Sequence, residues 1–301
     1  MIAIDLGSNT LRIVKFDCET LKKTDEFEKT VRTADKLYLT GIISKEATQR
    51  IIDAIIEAKE KIDFDDDIEA VATAAFRKAE NAKSVIEEIK TKTGIEFKII
   101  SSDEEAVFTV YAVKHRLIQL GKKAEKFLVA DIGGASTELI MYHKEGVVTE
   151  SFDIGIVTTA QQYKSKESML IGIRRKISSM RIFIDDIYEL FGIPKEFVAT
   201  GGTPTTLAAL KLGLTYDTYD PEKINGTVLY PVDLDEALRK LESLSFKKRE
   251  EIVGEGRADL ITAGIHILKE LLKVSGFDEV TVCDDGLREG VALINCQKKL
   301  G

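Results

Sequence analysis

The strongest constraint on this chain is a pattern that occurs twice. Residues 2–16, IAIDLGSNTLRIVKF, and residues 128–142, LVADIGGASTELIMY, share one order: apolar strand, aspartate, apolar residue, glycine, small residues, alternating strand. Asp5 matches Asp131, and Gly7 matches Gly133. A continuous apolar run reads as a buried strand and the alternating run as its hairpin partner. A single copy would be a tight turn with a strand-end acid. Two copies, near the start of each half, predict duplicated domains that face each other across a cleft. Each presents a turn at the carboxyl end of its first strand.

The rest of the chain alternates strands and helices in both halves, which predicts two α/β domains with mixed sheets flanked by helices. In the first half, helices are expected over 45–62, up to 90 and over 103–120, with strands at 69–74 and 96–100. Ile51, Ile52, Ile55 and Ile56 are expected on one face of the first helix. In the second half, strands are expected at 127–131, 136–142, 147–154 and 279–283, with a long helix over 165–192. The polar connector GKKAEK, 121–126, divides the chain into domains 1–120 and 121–301. The last helix, about 288–301, is positioned to pack back on the first domain. Apolar stripes on the 165–192 helix are compatible with a homodimer.

Net charge decides which partners are reasonable. Lys+Arg of 43 against Asp+Glu of 51 gives −8, which argues against a general nucleic-acid binder but not against a small anion at a local site. No stretch approaches the roughly 18 consecutive apolar residues of a membrane helix, and MIAIDLG enters a strand at once, leaving no room for a signal peptide. Cys18, Cys283 and Cys296 are far apart and, like His115, His143 and His266, lack metal-site spacing. They are expected to be reduced, structural residues of a cytoplasmic protein.

The chemistry suited to such turns is phosphate handling. Glycine lets backbone N–H groups converge on an anion, and hydroxyls add donors without bulk. Candidate phosphate contacts are Gly7, Ser8, Asn9 and Thr10 in the first turn, and Gly133, Gly134, Ala135, Ser136 and Thr137 in the second. An aspartate there would repel phosphate unless a divalent cation lay between them, and hard oxygen ligands favour magnesium or manganese. A third segment, ATGGTPTT at 199–206, places Gly201, Gly202 and Thr203 at a helix N-terminus, whose free amides attract anions.

Seven segments in order, IDLGSNT, ATAAFRKAEN, ISSDEEA, DIGGASTEL, ATGGTPTTLAAL, GRADLITAG and DDGLREG, resemble the exopolyphosphatase/guanosine pentaphosphate phosphatase (Ppx/GppA) family. The resemblance runs from residue 2 to about 295. It implies two actin-like, ribonuclease H-like domains and magnesium-dependent release of terminal phosphate from polyphosphate or guanosine pentaphosphate. It further implies Glu105 as catalytic base, Glu138 and Arg77 as catalytic partners, and Asp131, with Asp5, as metal-linked carboxylates. Ser102 and Ala135 stand where the family has glycine, Val107 replaces a basic residue, and the usual arginine is absent from DIGIVTTAQQ. These departures, with the short chain, point to short polyphosphate or a nucleotide tetra- or pentaphosphate. The alternative is a nucleotide- or polyphosphate-binding sensor with weak hydrolysis.

Overall fold

A computed structural model of the chain describes residues 1–254 and 256–300. The chain forms two compact units, Met1–Ala112 together with the segment from Gly286, and Val113–Asp285.

The first unit opens with β1 (Ile2–Leu6), β2 (Thr10–Asp17) and β3 (Lys22–Thr30), an antiparallel meander. A short turn of helix, α1 (Leu37–Thr40), leads to α2 (Lys45–Lys61). Ser44 caps α2 by accepting the Ala47 N–H, and Ile51, Ile52 and Ile55 bury one face. Ile56, expected on that face, is 46% exposed. Then come β4 (Ile68–Ala72), α3 (Ala74–Lys78), α4 (Ala82–Thr93), β5 (Lys98–Ile99) and α5 (Ser102–Gln119). The sheet order is β3-β2-β1-β4-β5, with β4 and β5 running parallel to β1. Because the central strands are covered, Ile2, Ile4 and Leu6 are fully buried.

The second unit contains β6 (Phe127–Ile132), β7 (Thr137–His143), β8 (Gly146–Phe152), α6 (Ile156–Gln162), α7 (Lys166–Phe191), β9 (Glu196–Thr200) and α8 (Gly202–Lys211). It continues through α9 (Pro221–Ile224), β10 (Val228–Leu229), α10 (Pro231–Ser243), α11 (Phe246–Val253), α12 (Ile261–Ser275) and β11 (Val280–Val282). Its sheet runs β10-β11-β9-β6-β7-β8. Read from β8 to β11, the strand directions repeat those from β3 to β5: antiparallel, antiparallel, parallel, parallel. The duplication in sequence is a duplication of topology. The edge strand β10 has no counterpart in the first sheet.

The chain then enters α13 (Leu287–Leu300), which packs on β1 and β2 of the first unit. Leu287, Val291, Ala292, Leu293 and Cys296 join Met1, Ala3, Val14, Phe16 and Val71 in one apolar cluster. The division between units falls inside α5 rather than at the 121–126 connector. One cysteine expectation is overturned: Cys18 and Cys296 form a disulfide, with Cα atoms 4.9 Å apart. A sequence separation of 278 conceals that the end of β2 and α13 are neighbours. Among the described residues, no helix is long and apolar enough to cross a membrane.

Candidate active site

Both repeat turns are closed in the same way. Gly7 N–H donates to the Thr10 carbonyl and Gly133 N–H to the Ser136 carbonyl, each at 3.0 Å. A Cβ on Gly7 or Gly133 would come within 3.3 or 3.1 Å of that same carbonyl, so glycine suits both positions. The register then pairs Asp5 with Arg12 and Asp131 with Glu138. Equivalent positions thus carry a cation in one unit and a second carboxylate in the other.

In the first unit, the carbonyls of Ser8 and Asn9 are engaged by segment 31–34: Asn9 accepts from Val31 and Arg32 N–H, and Ser8 from Ala34 N–H. Arg32 holds φ +48 to make this contact, a left-handed conformation that is uncommon for a side-chain-bearing residue. Ser8, Asn9 and Thr10 are all buried. Asp5 is buried at the end of β1, and its Oδ1 has no hydrogen-bond partner. Burial pushes its carboxyl up to about 6, against the opposing pull of Arg12 and Arg288.

Glu105 and Arg77 come together in this unit. Arg77 closes α3 immediately after β4, and its Nη1 donates to Glu105 Oε2 at 2.6 Å and to the Ile100 carbonyl at 3.1 Å. Glu105 is 8% exposed. Its neighbour Glu104 does different work: it accepts the Ser101 N–H while Ser101 Oγ accepts the Glu104 N–H, a reciprocal cap on α5. The two adjacent acids therefore separate into a surface cap and a buried, arginine-paired carboxylate.

In the second unit, Glu138 is 2% exposed and its Oε1 accepts hydroxyl hydrogens from Ser136 and Ser151, each at 2.8 Å. The hydroxyls of Ser136 and Thr137, expected as phosphate contacts, make hydrogen bonds within the unit. Ser136 donates to Glu138, and Thr137, on the opposite face of β7, donates to the Ile154 carbonyl at 2.5 Å. The carbonyls of Gly133 and Gly134 accept N–H groups from Ile156, Val157 and Thr158 at the start of α6. Since C=O and N–H point oppositely across a trans peptide, the Gly134 and Ala135 N–H groups are directed away from α6. Ala135 is not in the left-handed region, so its β-carbon imposes no backbone penalty there.

The third turn abuts the second. Gly201 has φ +98, and a Cβ there would sit 2.6 Å from the Ile132 carbonyl oxygen and 3.4 Å from Asp131 Oδ1. Only glycine permits that approach. Thr203, expected as a phosphate contact, is 1% exposed, and its hydroxyl faces Gly264 of α12. Gly202 starts α8, whose first-turn amides remain suited to an anion.

Sequence reasoning missed three supporting residues. Ser151 lies on β8 beside Glu138, visible only once the register is known. Asp285 is clamped by Arg116 at 2.8 and 3.2 Å, and its carbonyl accepts the Thr200 hydroxyl at 3.3 Å, just before Gly201. Gly290 lies where a Cβ would overlap the Phe108 carbonyl, which brings α13 against α5. Among the described residues, no group of three or more His, Cys, Asp or Glu could hold a metal ion. The unpartnered Asp5 Oδ1 nevertheless fits a hard cation that takes its remaining ligands from phosphate and water.

Comparison with known proteins places the chain among phosphatases. A Mycobacterium tuberculosis protein named exopolyphosphatase 2 is 27% identical over 316 aligned residues, covering 97% of each chain. A guanosine-5'-triphosphate,3'-diphosphate pyrophosphatase from Pseudoalteromonas translucida is 26% identical, covering 96% of this chain but 57% of its own length. Among solved structures, the Aquifex aeolicus Ppx/GppA family member superimposes with a TM-score of 0.74 at 27% identity, covering 100% of this chain and 98% of that one. An exopolyphosphatase from Cytophaga hutchinsonii shares the fold with a TM-score of 0.84 at 22% identity, covering 99% of this chain and 97% of its own. The model of the Ppx/GppA phosphatase family matches residues 13–299, and the chain belongs to that family.

Proposed function

We propose that the protein hydrolyses the terminal phosphoanhydride of short polyphosphate or guanosine pentaphosphate, with magnesium as cofactor. Family membership and relatives bearing both names support this reading. The observation that carries it is the buried Glu105 carboxylate held at 2.6 Å by Arg77.

The reaction needs a positioned water, a proton acceptor and neutralisation of charge on the phosphate oxygens. Glu105 accepts the proton as the water oxygen bonds to the terminal phosphorus and the bond to the bridging oxygen breaks. Arg77 holds that carboxylate in place through a charge-assisted hydrogen bond. Glu138, fixed by two serine hydroxyls, orients the attacking water or the cation. The amides of both repeat turns and of the α8 N-terminus hold non-bridging oxygens. Asp5 in the first unit and Asp131 in the second are each a candidate to hold magnesium, which would draw electron density from the phosphate oxygens.

The test is phosphate release from polyphosphates of several lengths, guanosine pentaphosphate and ATP with magnesium, alongside calorimetric binding of each. Turnover of one substrate class that disappears in Glu105→Gln supports the reading. Tight binding without turnover by the unaltered protein would instead identify a sensor.

A further inference from the structure

We propose that Cys18 and Cys296 form a reversible dithiol–disulfide latch that fastens α13 to the β1–β2 face of the first unit. Cys18 follows β2 in an exposed turn and is partly buried, whereas Cys296 is fully buried in the last turns of α13. The two sulfurs therefore differ in access, and exchange proceeds through Cys18. The third thiol, Cys283, lies in the other unit, buried and protonated because burial pushes it well up, so it stays outside the exchange.

Opening is a pair of thiol–disulfide exchanges. The thiolate of an external dithiol attacks Cys18 Sγ, and the Cys296 sulfur leaves and takes up a proton. The second thiol of the reductant then displaces the Cys18 sulfur and becomes the oxidised, cyclic disulfide. Closure by glutathione disulfide reverses this: the Cys18 thiolate displaces one glutathione, then the Cys296 thiolate displaces the second. Two electrons pass between protein and the external couple in each direction.

What the latch holds is specific. The first turn of α13 carries Arg288, 6% exposed, which bonds Glu289 at 2.5 Å and reaches Glu26 on β3 at 3.3 Å. Glu289 in turn accepts the Gly286 N–H at 2.9 Å. The crosslink pins the far end of the helix, so both ends are tied to strands formed from the first 30 residues of the chain.

The experiment treats the full-length protein with glutathione disulfide or with dithiothreitol, then counts thiols after denaturation and maps disulfide peptides by mass spectrometry. Amide exchange is followed in both forms. The expected result is one thiol (Cys283) in the oxidised form and three in the reduced form, with a Cys18–Cys296 peptide in the first only. Exchange across α13 should be on the order of tenfold or more faster after reduction, and reoxidation should restore it. The Cys18→Ser variant should exchange like the reduced protein under either treatment. Three thiols after glutathione disulfide treatment, or α13 exchange identical in both forms, would overturn the proposal. None of these readouts requires a substrate.

Discussion

Arg77 Nη1 lies 2.6 Å from Glu105 Oε2, joining the turn of helix after β4 to the first turn of α5. An arginine and an acid separated by 28 residues form one unit, and Glu104 beside it is diverted to the helix cap. Of these two adjacent glutamates, only Glu105 is a buried carboxylate held by an arginine.

Replacing Glu105 by Gln should lower the rate of phosphate release by about 10²–10⁴-fold while leaving the circular dichroism spectrum unchanged. Turnover within a few-fold of the parent enzyme would remove Glu105 from the role of base.

Arg77→Met removes the guanidinium that holds the buried Glu105 carboxylate at 2.6 Å. A loss of about 2 kcal/mol or more in urea unfolding is expected, together with loss of activity. Adding Glu105→Gln to Arg77→Met should recover most of that stability and none of the activity. A double variant as unstable as Arg77→Met alone would mean that Arg77 stabilises the fold through contacts other than Glu105, its bond to the Ile100 carbonyl among them.

Asp5 makes a pH-dependent contribution whose sign follows from its raised carboxyl. The folded protein binds this proton more tightly than the unfolded chain, so the cost of its charge is absent at low pH. That cost develops as pH rises from 3.8 through about 6 and persists above. Asp5→Asn should therefore be more stable than the parent above pH 6 without metal, by at most about 3 kcal/mol. The advantage should vanish toward pH 4. Saturating magnesium should raise the melting temperature of the parent protein and not that of the variant. Equal stability of the two at every pH would contradict a burial cost at Asp5 that Arg12 and Arg288 offset only in part.

Gly201→Ala should cost about 2–4 kcal/mol, because it combines a left-handed φ with a β-carbon pressed into the Ile132 carbonyl. Thermal unfolding would measure it. A near-neutral result would mean that β6 and the start of α8 can move apart, and the third turn would then not be held against Asp131.

Ser151→Ala removes a hydroxyl that donates to Glu138 Oε1 at 2.8 Å. A hydrogen bond to a charged group supports an expected drop of about tenfold in kcat with little change in KM. A change confined to KM would place Glu138 in substrate binding rather than in the chemical step.

The repeated strand–Asp–Gly pattern alone specified two sheets of matching topology, because buried runs and alternating runs have different hydrophobic periods and the turn glycines are recognisable. It also located the three glycine turns and most of the long helices. Short elements such as β10, α6 and α11 escaped notice, since a few residues carry too little periodicity to stand out. What tertiary structure decided was where side chains point and which distant segments meet. It turned the hydroxyls of Thr137 and Thr203 inward, placed Ser151 beside Glu138, paired Arg77 with Glu105 and brought α13 back to β2, where Cys296 meets Cys18. Periodicity is a local property of the chain. Register, helix packing and long-range pairing depend on burying apolar area across the whole unit, and no short window of residues contains that information.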